Sequence, residues 1–448
     1  MDKNFLLNSE TAKVLYSYSK DLPIIDYHNH LSIEDISKNK RFYDIYDLWI
    51  KPDPYKHRAM RMCSVSERYI TGDATDFEKF KAWCCVYPKL IGNPLYVWTQ
   101  MELSKIFGIT DLPNEDNAEE IYKRANAYLE KNITTAETLL EKFNVELACP
   151  CVSLTDDVSF FGGKDNLAPS LRGDDVTVPD KAFIQKLADR VENLNDYKKA
   201  VIKKLGDLKN VGCVFSDHAL DNGFKYYEDD GRNEVRFTAI VNGEILDGEN
   251  KARLSSYILT FLLSEYAKQN FTVQLHIGAQ RFTSTRLRKL AGAAGGFAGI
   301  GNSFDVKSLT TMLDVVEKGE GGLPKIMIFP LNPADNAMTS VLSGSYSKDG
   351  VSGLITQGPA WWWCDHKFGI EEALENIASF SLLSNFVGMT TDSRSFLSIV
   401  RHDYFRRILC NWIGKKVDGN ELSIDIEELK KLINCMCYKN AKDILGGF

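Results

Sequence analysis

No run of lysines and arginines occurs anywhere in the 448 residues, and 54 basic against 61 acidic side chains leave a net charge of -7. Such a chain has no electrostatic footprint for a nucleic-acid backbone or an anionic membrane surface, so any anionic ligand must be held by local arginines. Also missing is an uncharged apolar stretch near the ~20 residues that a membrane span needs. The opening MDKNFLLNSE lacks the basic and apolar regions of a secretory signal, and a soluble, cytosolic protein is expected. The ten cysteines contain no paired C-x-x-C sets of the zinc-ribbon kind. Reduced thiols, packed mostly as small hydrophobes, are expected instead. The glycine-rich tract GAAGGFAGIG at 292–301 does not follow a strand at dinucleotide-binding spacing. It reads as a flexible rim loop, and no nucleotide or flavin is expected. With 44% hydrophobic residues the chain can bury a large core, as one large domain or two or three ordinary ones.

Short apolar runs alternate with long helical patterns, and no period suggests a repeat array. The runs predict strands at 24–27, 145–152, 166–171, 211–215, 272–276, 325–329, 353–356 and 386–389. Helices are predicted at 9–19, 181–205, 251–269, 305–317, 334–344, 370–382 and 395–413. Eight strands separated mostly by helices point to an α/β chain folded as a (β/α)8 TIM-type barrel, with the doubly wound open sheet as runner-up. Residues 1–30 then hold an N-terminal helix and the first barrel strand. Residues 31–143, largely helical in pattern, form a large insertion packed on the barrel and overhanging its mouth. Residues 144–448 supply the remaining barrel, ending in a helix at 424–444.

At 26–30 the sequence DYHNH ends a strand, and strand alternation points His28 and His30 the same way. Two imidazoles on one inward face, with Asp26 just below, can chelate one divalent ion; two hydrogen-bonded core histidines are the plainer reading. Polar groups recur just past nearly every other strand: Asp156 and Asp157, Arg172, Asp217 and His218, His276, Asn332, Trp361 with Trp362, and Asp392 with Arg394. In a β/α barrel these share one rim, where active sites lie. His276, ending VQLHIGAQR, can be a third metal ligand, a proton carrier or a satisfied core histidine. Asp392 can reach an ion at the barrel centre or cap the next helix, and Arg394 offers a planar fork for a carboxylate. His57, His366 and His402 sit where solvation or packing explains them. The tryptophans at 361–363 can stack on a sugar ring, although aromatic clusters are more often core.

Several long blocks carry a family resemblance: DYHNHLS, YKHRAMR at 55–61, TGDATDFEKF at 71–80, IGNPLYVWTQMEL at 91–103, SDHAL, LHIGAQR, LNPADN and MTTDSRSFLSIVRHDYFRRILC at 389–410. Together, from about residue 5 to 445, they closely resemble the uronate (glucuronate) isomerases, a divergent branch of the amidohydrolase superfamily with a β/α barrel. The resemblance implies interconversion of D-glucuronate with D-fructuronate and of D-galacturonate with D-tagaturonate. It matches His28, His30 and Asp392 to divalent-metal ligands, with zinc expected. It matches His276, Tyr55, Arg172, Trp361 and Arg394 to positions at the substrate or in catalysis. The expected partner is a small-molecule uronate, with a homo-oligomer left open. Three blocks depart from the family: SLTDDVS keeps Thr155, Asp156 and Asp157 but loses a proline, RGDDV replaces RPDKA, and WCDHKFG stands where an Asn-Asp-Gln run is commoner. These bear on loop shape and substrate preference.

Aldose-ketose isomerisation through an enediol needs a base, an acid and a means to steady an oxyanion, and no redox cofactor. Asp392 or Tyr55 can shuttle the proton, and Arg172 can pair with the C6 carboxylate. One rival is a metal-dependent hydrolase on the same barrel. Against it, VELACPCVSLTDD offers no lysine near its C-terminal end to bridge two metals. The other rival is a catalytically silent uronate-binding protein, although every matched rim group is present.

Overall fold

The computed structural model describes residues 2–446. Seven parallel strands form its main sheet: β1 (Ile24–Asn29), β2 (Val145–Ser153), β3 (Ser170–Arg172), β4 (Phe215–Leu220), β5 (Thr272–Ile277), β8 (Lys325–Pro330) and β9 (Ile355–Gln357). They lie side by side in chain order, β1-β2-β3-β4-β5-β8-β9. A doubly wound sheet reverses its strand order at a switch point, and this sheet never does, which removes the doubly wound alternative. The short strands β6 (Ala279–Gln280) and β7 (Gly299–Ile300) pair antiparallel, β7 lying at the C-terminal end of the glycine-rich tract. Arg58 donates to the Gly296 carbonyl at 3.1 Å and Arg61 to that of Gly295, so the tract is tied to the helix Pro54–Met62.

The expected eighth strand at 386–389 is not formed. The segment still runs beside β1: Asp392 N–H donates to the His28 carbonyl at 3.0 Å and His30 N–H to that of Ser393 at 2.8 Å. Regular pairing fails for identifiable reasons. Gly388 and Asp392 have φ of 85° and 46°, outside the range of extended backbone. The Thr390 hydroxyl accepts from His28 N–H and donates to the His28 carbonyl, so a side chain stands in for the ladder. A Cβ on Gly388 would run into the Met436 carbonyl, which shows how closely the C-terminal turn approaches.

Other boundaries shift. The strand expected at 211–215 is β4, displaced towards SDHAL, because Gly212 at φ 86° ends the preceding helix and Phe215 opens the pairing. The strand expected at 166–171 shrinks to β3, with Leu167 left as an isolated bridge to Ala148. The strand expected at 353–356 begins only at Ile355, since Gly353 is in a left-handed turn. The helix expected at 181–205 is two, Lys181–Leu187 and Leu194–Asn210, each with its own acceptor cap, Asp180 and Asn193. The helix expected at 424–444 is broken by a π-turn at Cys435–Lys439.

Between β1 and β2 lie five longer helices, Pro54–Met62, Asp76–Val86, Pro94–Phe107, Ala118–Lys131 and Ala136–Lys142. Their buried faces (Met60, Trp83, Met101, Leu129) join the helices outside the sheet in one core. A separate inner cluster, Ile25, Tyr27, Leu147, Cys149, Phe215, Met327 and Phe329, fills the concave side of the sheet. At roughly 1.5–3 kcal/mol per fully buried large apolar side chain, this filling makes a firm floor under the strands' C-terminal ends.

Candidate active site

Above that floor β1, β2, β3, β4 and β5 direct His28 and His30, Cys151, Arg172, Asp217 and His276 to one place. The irregular segment after residue 386 adds Asp392. Its Oδ1 lies 3.1 Å from His30 Nε2 and 3.4 Å from His28 Nε2. On the other edge of His28, Nδ1 is 3.6 Å from both Cys151 Sγ and Asp217 Oδ2, and Cys151 donates to Asp217 at 3.4 Å. The ligand atoms of His28, His30 and Cys151 all lie within 4.8 Å of one another. The His276 ring is 4.8 Å from that of His28, stacks on Phe329 at 4.6 Å and meets Trp361 edge-on at 4.7 Å. Its Nε2 is buried with no protein partner, as are the indole nitrogens of Trp361 and Trp363.

Burial alone would keep these groups neutral, and their neighbours decide otherwise. Desolvation pushes the Asp392 carboxyl up, but hydrogen bonds from His28 and His30 outweigh it and hold the group well below the usual carboxylate range. The Cys151 thiol is lowered although burial opposes this, because the two imidazoles lie beside it. His28 and His30 rise against burial through Cys151 and Asp392. His276 goes the other way: burial, with the His28 charge adding to it, takes it down to about 3, so its imidazole is neutral. Burial also pushes the Tyr55 phenol well above its ordinary value.

The helix Pro54–Met62 brings Tyr55 over the mouth, capped by Asp53 and packed edge-on to Trp363 at 5.3 Å and to Trp98 at 6.3 Å. Arg172 is bound at the rim by Asp174, through Nε at 3.2 Å and Nη2 at 3.1 Å. Arg394 makes no hydrogen bond or ion pair among the described residues, and feels Asp392, Arg172 and Tyr55 through space.

Other rim candidates fall away. His218 alternates to the outer face, where it meets the Tyr266 hydroxyl at 3.0 Å. Asp156 and Asp157 accept backbone N–H groups in a surface turn, and Asn332 caps the turn Pro333–Asp335. Asp26 is no ligand; it is saturated by Thr390, by Thr391 twice and by His402. Two members escaped sequence reasoning. Cys151 was legible in CPC, two residues beyond an inward-facing Cys149. The buried pair of Asp365 with Arg401, 2.8 Å apart, was not, since it joins a loop to the helix Val400–Asp418. Arg401 also donates to the Thr391 carbonyl at 2.6 Å, steadying the segment that carries Asp392.

Known proteins resemble this chain over its whole length. Uronate isomerase of Caldanaerobacter subterraneus subsp. tengcongensis is 39% identical over 100% of this chain and 99% of its own length. That of Haemophilus influenzae is also 39% identical, over 99% and 98% of the two chains. The crystal structure of uronate isomerase from Thermotoga maritima superposes with a TM-score of 0.92 at 30% identity, covering 99% of each chain. The glucuronate isomerase family model matches residues 1–445, and the chain belongs to that family.

Proposed function

We propose that this protein is a uronate isomerase, converting D-glucuronate to D-fructuronate and D-galacturonate to D-tagaturonate by moving a proton between C2 and C1 through an enediol. The observation that carries the reading is the convergence of His28, His30, Asp392 and an unpartnered His276 at the strands' C-terminal ends, in a chain of this family. We further propose that the seam between β1 and residues 386–393 closes a (β/α)8 barrel, with 31–143 an insertion over its mouth. A cytosolic location accords with the charge and with the absence, among the described residues, of any helix long and apolar enough to cross a membrane.

The donor set suits a divalent ion, zinc above all: two imidazoles and a carboxylate oxygen lie at separations that one ion can share. Such an ion supplies positive charge near the substrate oxygens on which negative charge develops. The remaining work belongs to the chain. Tyr55, kept protonated by its aromatic box, donates a proton, and the ionised Asp392 carboxylate accepts one. His276, being neutral, offers Nε2 to a substrate oxygen, while Trp361 walls the sugar. Arg394, free of protein partners, steadies the enediolate; Arg172, at the rim, takes the distant carboxylate as a bidentate fork.

Incubation of the purified protein with galacturonate or glucuronate tests the reading. A ketose of unchanged mass supports isomerisation. No ketose from either uronate, with hydrolysis of a uronate lactone instead, favours the hydrolase, and binding without turnover favours the silent binder.

A further inference from the structure

We propose that Cys151 is a thiolate ligand for thiophilic divalent ions in this site. The inference deepens the reading above and rests on it, since it takes the site to hold an ion at all.

The two histidines that meet Asp392 on one side meet a sulfur on the other. Strand alternation along β2 turns Leu147, Cys149 and Cys151 to the concave face; the first two belong to the inner cluster, and Cys151 emerges one layer above it. Its Sγ is 3.6 Å from His28 Nδ1, and the ligand atoms of Cys151, His28 and His30 all lie within 4.8 Å of one another. Around a tetrahedral zinc-class ion, with metal-sulfur and metal-nitrogen bonds of about 2.3 and 2.0 Å, the two ligand atoms stand about 3.5 Å apart. The separation found here is the one a shared ion requires. Among the described residues no other three metal-ligating side chains come as close together. His276 provides an independent sign of a ligand: its Nε2 is buried and unpartnered, on a ring 4.8 Å from that of His28.

His28 addresses Cys151 through Nδ1 and Asp392 through Nε2, and because one imidazole gives a given ion only one nitrogen, the sulfur edge and the oxygen edge are alternative seats for an ion. Soft thiolate favours zinc, cobalt and cadmium, whereas manganese and magnesium prefer carboxylate oxygen. Cys151 thus sets which ions the site holds most tightly, and hard ions are indifferent to it.

The full-length protein, stripped with chelator and titrated with Co2+, provides the test, because cobalt bonded to thiolate shows a charge-transfer band in the near ultraviolet. Wild type should show the band at about one ion per chain. Cys151→Ser should lose it, weakening Co2+ at least the roughly tenfold that loss of even an outer partner costs, while Mn2+ affinity stays within about twofold. Asp392→Asn should keep the band. Wild type that binds one Co2+ without the band, or Cys151→Ser that retains the band or full Co2+ affinity, overturns the assignment. The wild-type spectrum decides even if the variant fails to fold. Wild type that takes up neither Co2+ nor Mn2+ overturns the ion-binding reading itself, and the ligand with it.

Discussion

Arg172 and Arg394 stand on one rim in opposite bonding states, the first clasped by Asp174 and the second without a protein partner. Their conservative variants should therefore fail differently. Arg172→Lys keeps the charge but loses the fork, and steady-state kinetics should show KM rising more than kcat falls. Arg394→Lys should mainly depress kcat, by weakening a contact to the developing enediolate. An unchanged KM for both uronates in Arg172→Lys would remove that residue from the substrate carboxylate. Tyr55 is separable as well, because its hydroxyl makes no hydrogen bond among the described residues while its ring packs on Trp98 and Trp363. Tyr55→Phe should leave thermal stability nearly unchanged and lower kcat roughly 10²-fold, the loss of a general acid.

The helix Pro54–Met62 carries both Tyr55 and a histidine with a pH consequence. Burial takes His57 from the ordinary 6.5 down to about 4, and its Nε2 is buried without a partner. The unfolded chain binds this proton more tightly than the folded one, so the stability held above pH 6.5 is lost as pH falls from 6.5 to 4. The shift corresponds to roughly 3 kcal/mol. Denaturant titrations of wild type and His57→Gln should agree most closely at pH 7 and separate towards pH 4 as wild type loses stability, and parallel curves would contradict this. Legibility also divides at this scale. The strands β5 and β8 are plain in the sequence because Val273, Leu275 and Ile277 alternate with polar residues in the first and 326–329 is a continuous apolar run in the second. The displacement of β4 was hidden, since its inner face carries Asp217 and its outer face His218, and neither resembles a buried strand. The eighth strand failed for a related reason. FVGM reads as an apolar run, but the left-handed Gly388 and Asp392 and the Thr390 hydroxyl depend on β1 and the C-terminal turn, which local pattern does not contain. His28, His30 and Asp392 were legible through motif and resemblance, whereas the CPC spacing set Cys151 on the face of Cys149 and only the placing of β2 beside β1 brought it to the histidines.

For the whole molecule, an acidic chain delivers local positive charge to one end of its sheet, through two arginines and a histidine-rich centre, while the helix Pro54–Met62 sets Tyr55 against Trp363. One open site of two imidazoles and a carboxylate implies about one divalent ion per chain, which elemental analysis of gently purified protein should find. Two ions would favour a binuclear hydrolase. The central claim is that this single centre performs uronate isomerisation, and side-by-side turnover of galacturonate and glucuronate by wild type and Asp392→Asn tests it most directly. Wild type should form ketose at unchanged mass. The folded variant should lose roughly 10²–10⁴-fold in rate, because the amide removes the charge and the base at once. Near-wild-type turnover in folded Asp392→Asn, or no ketose from the wild-type protein with either uronate, would contradict the account.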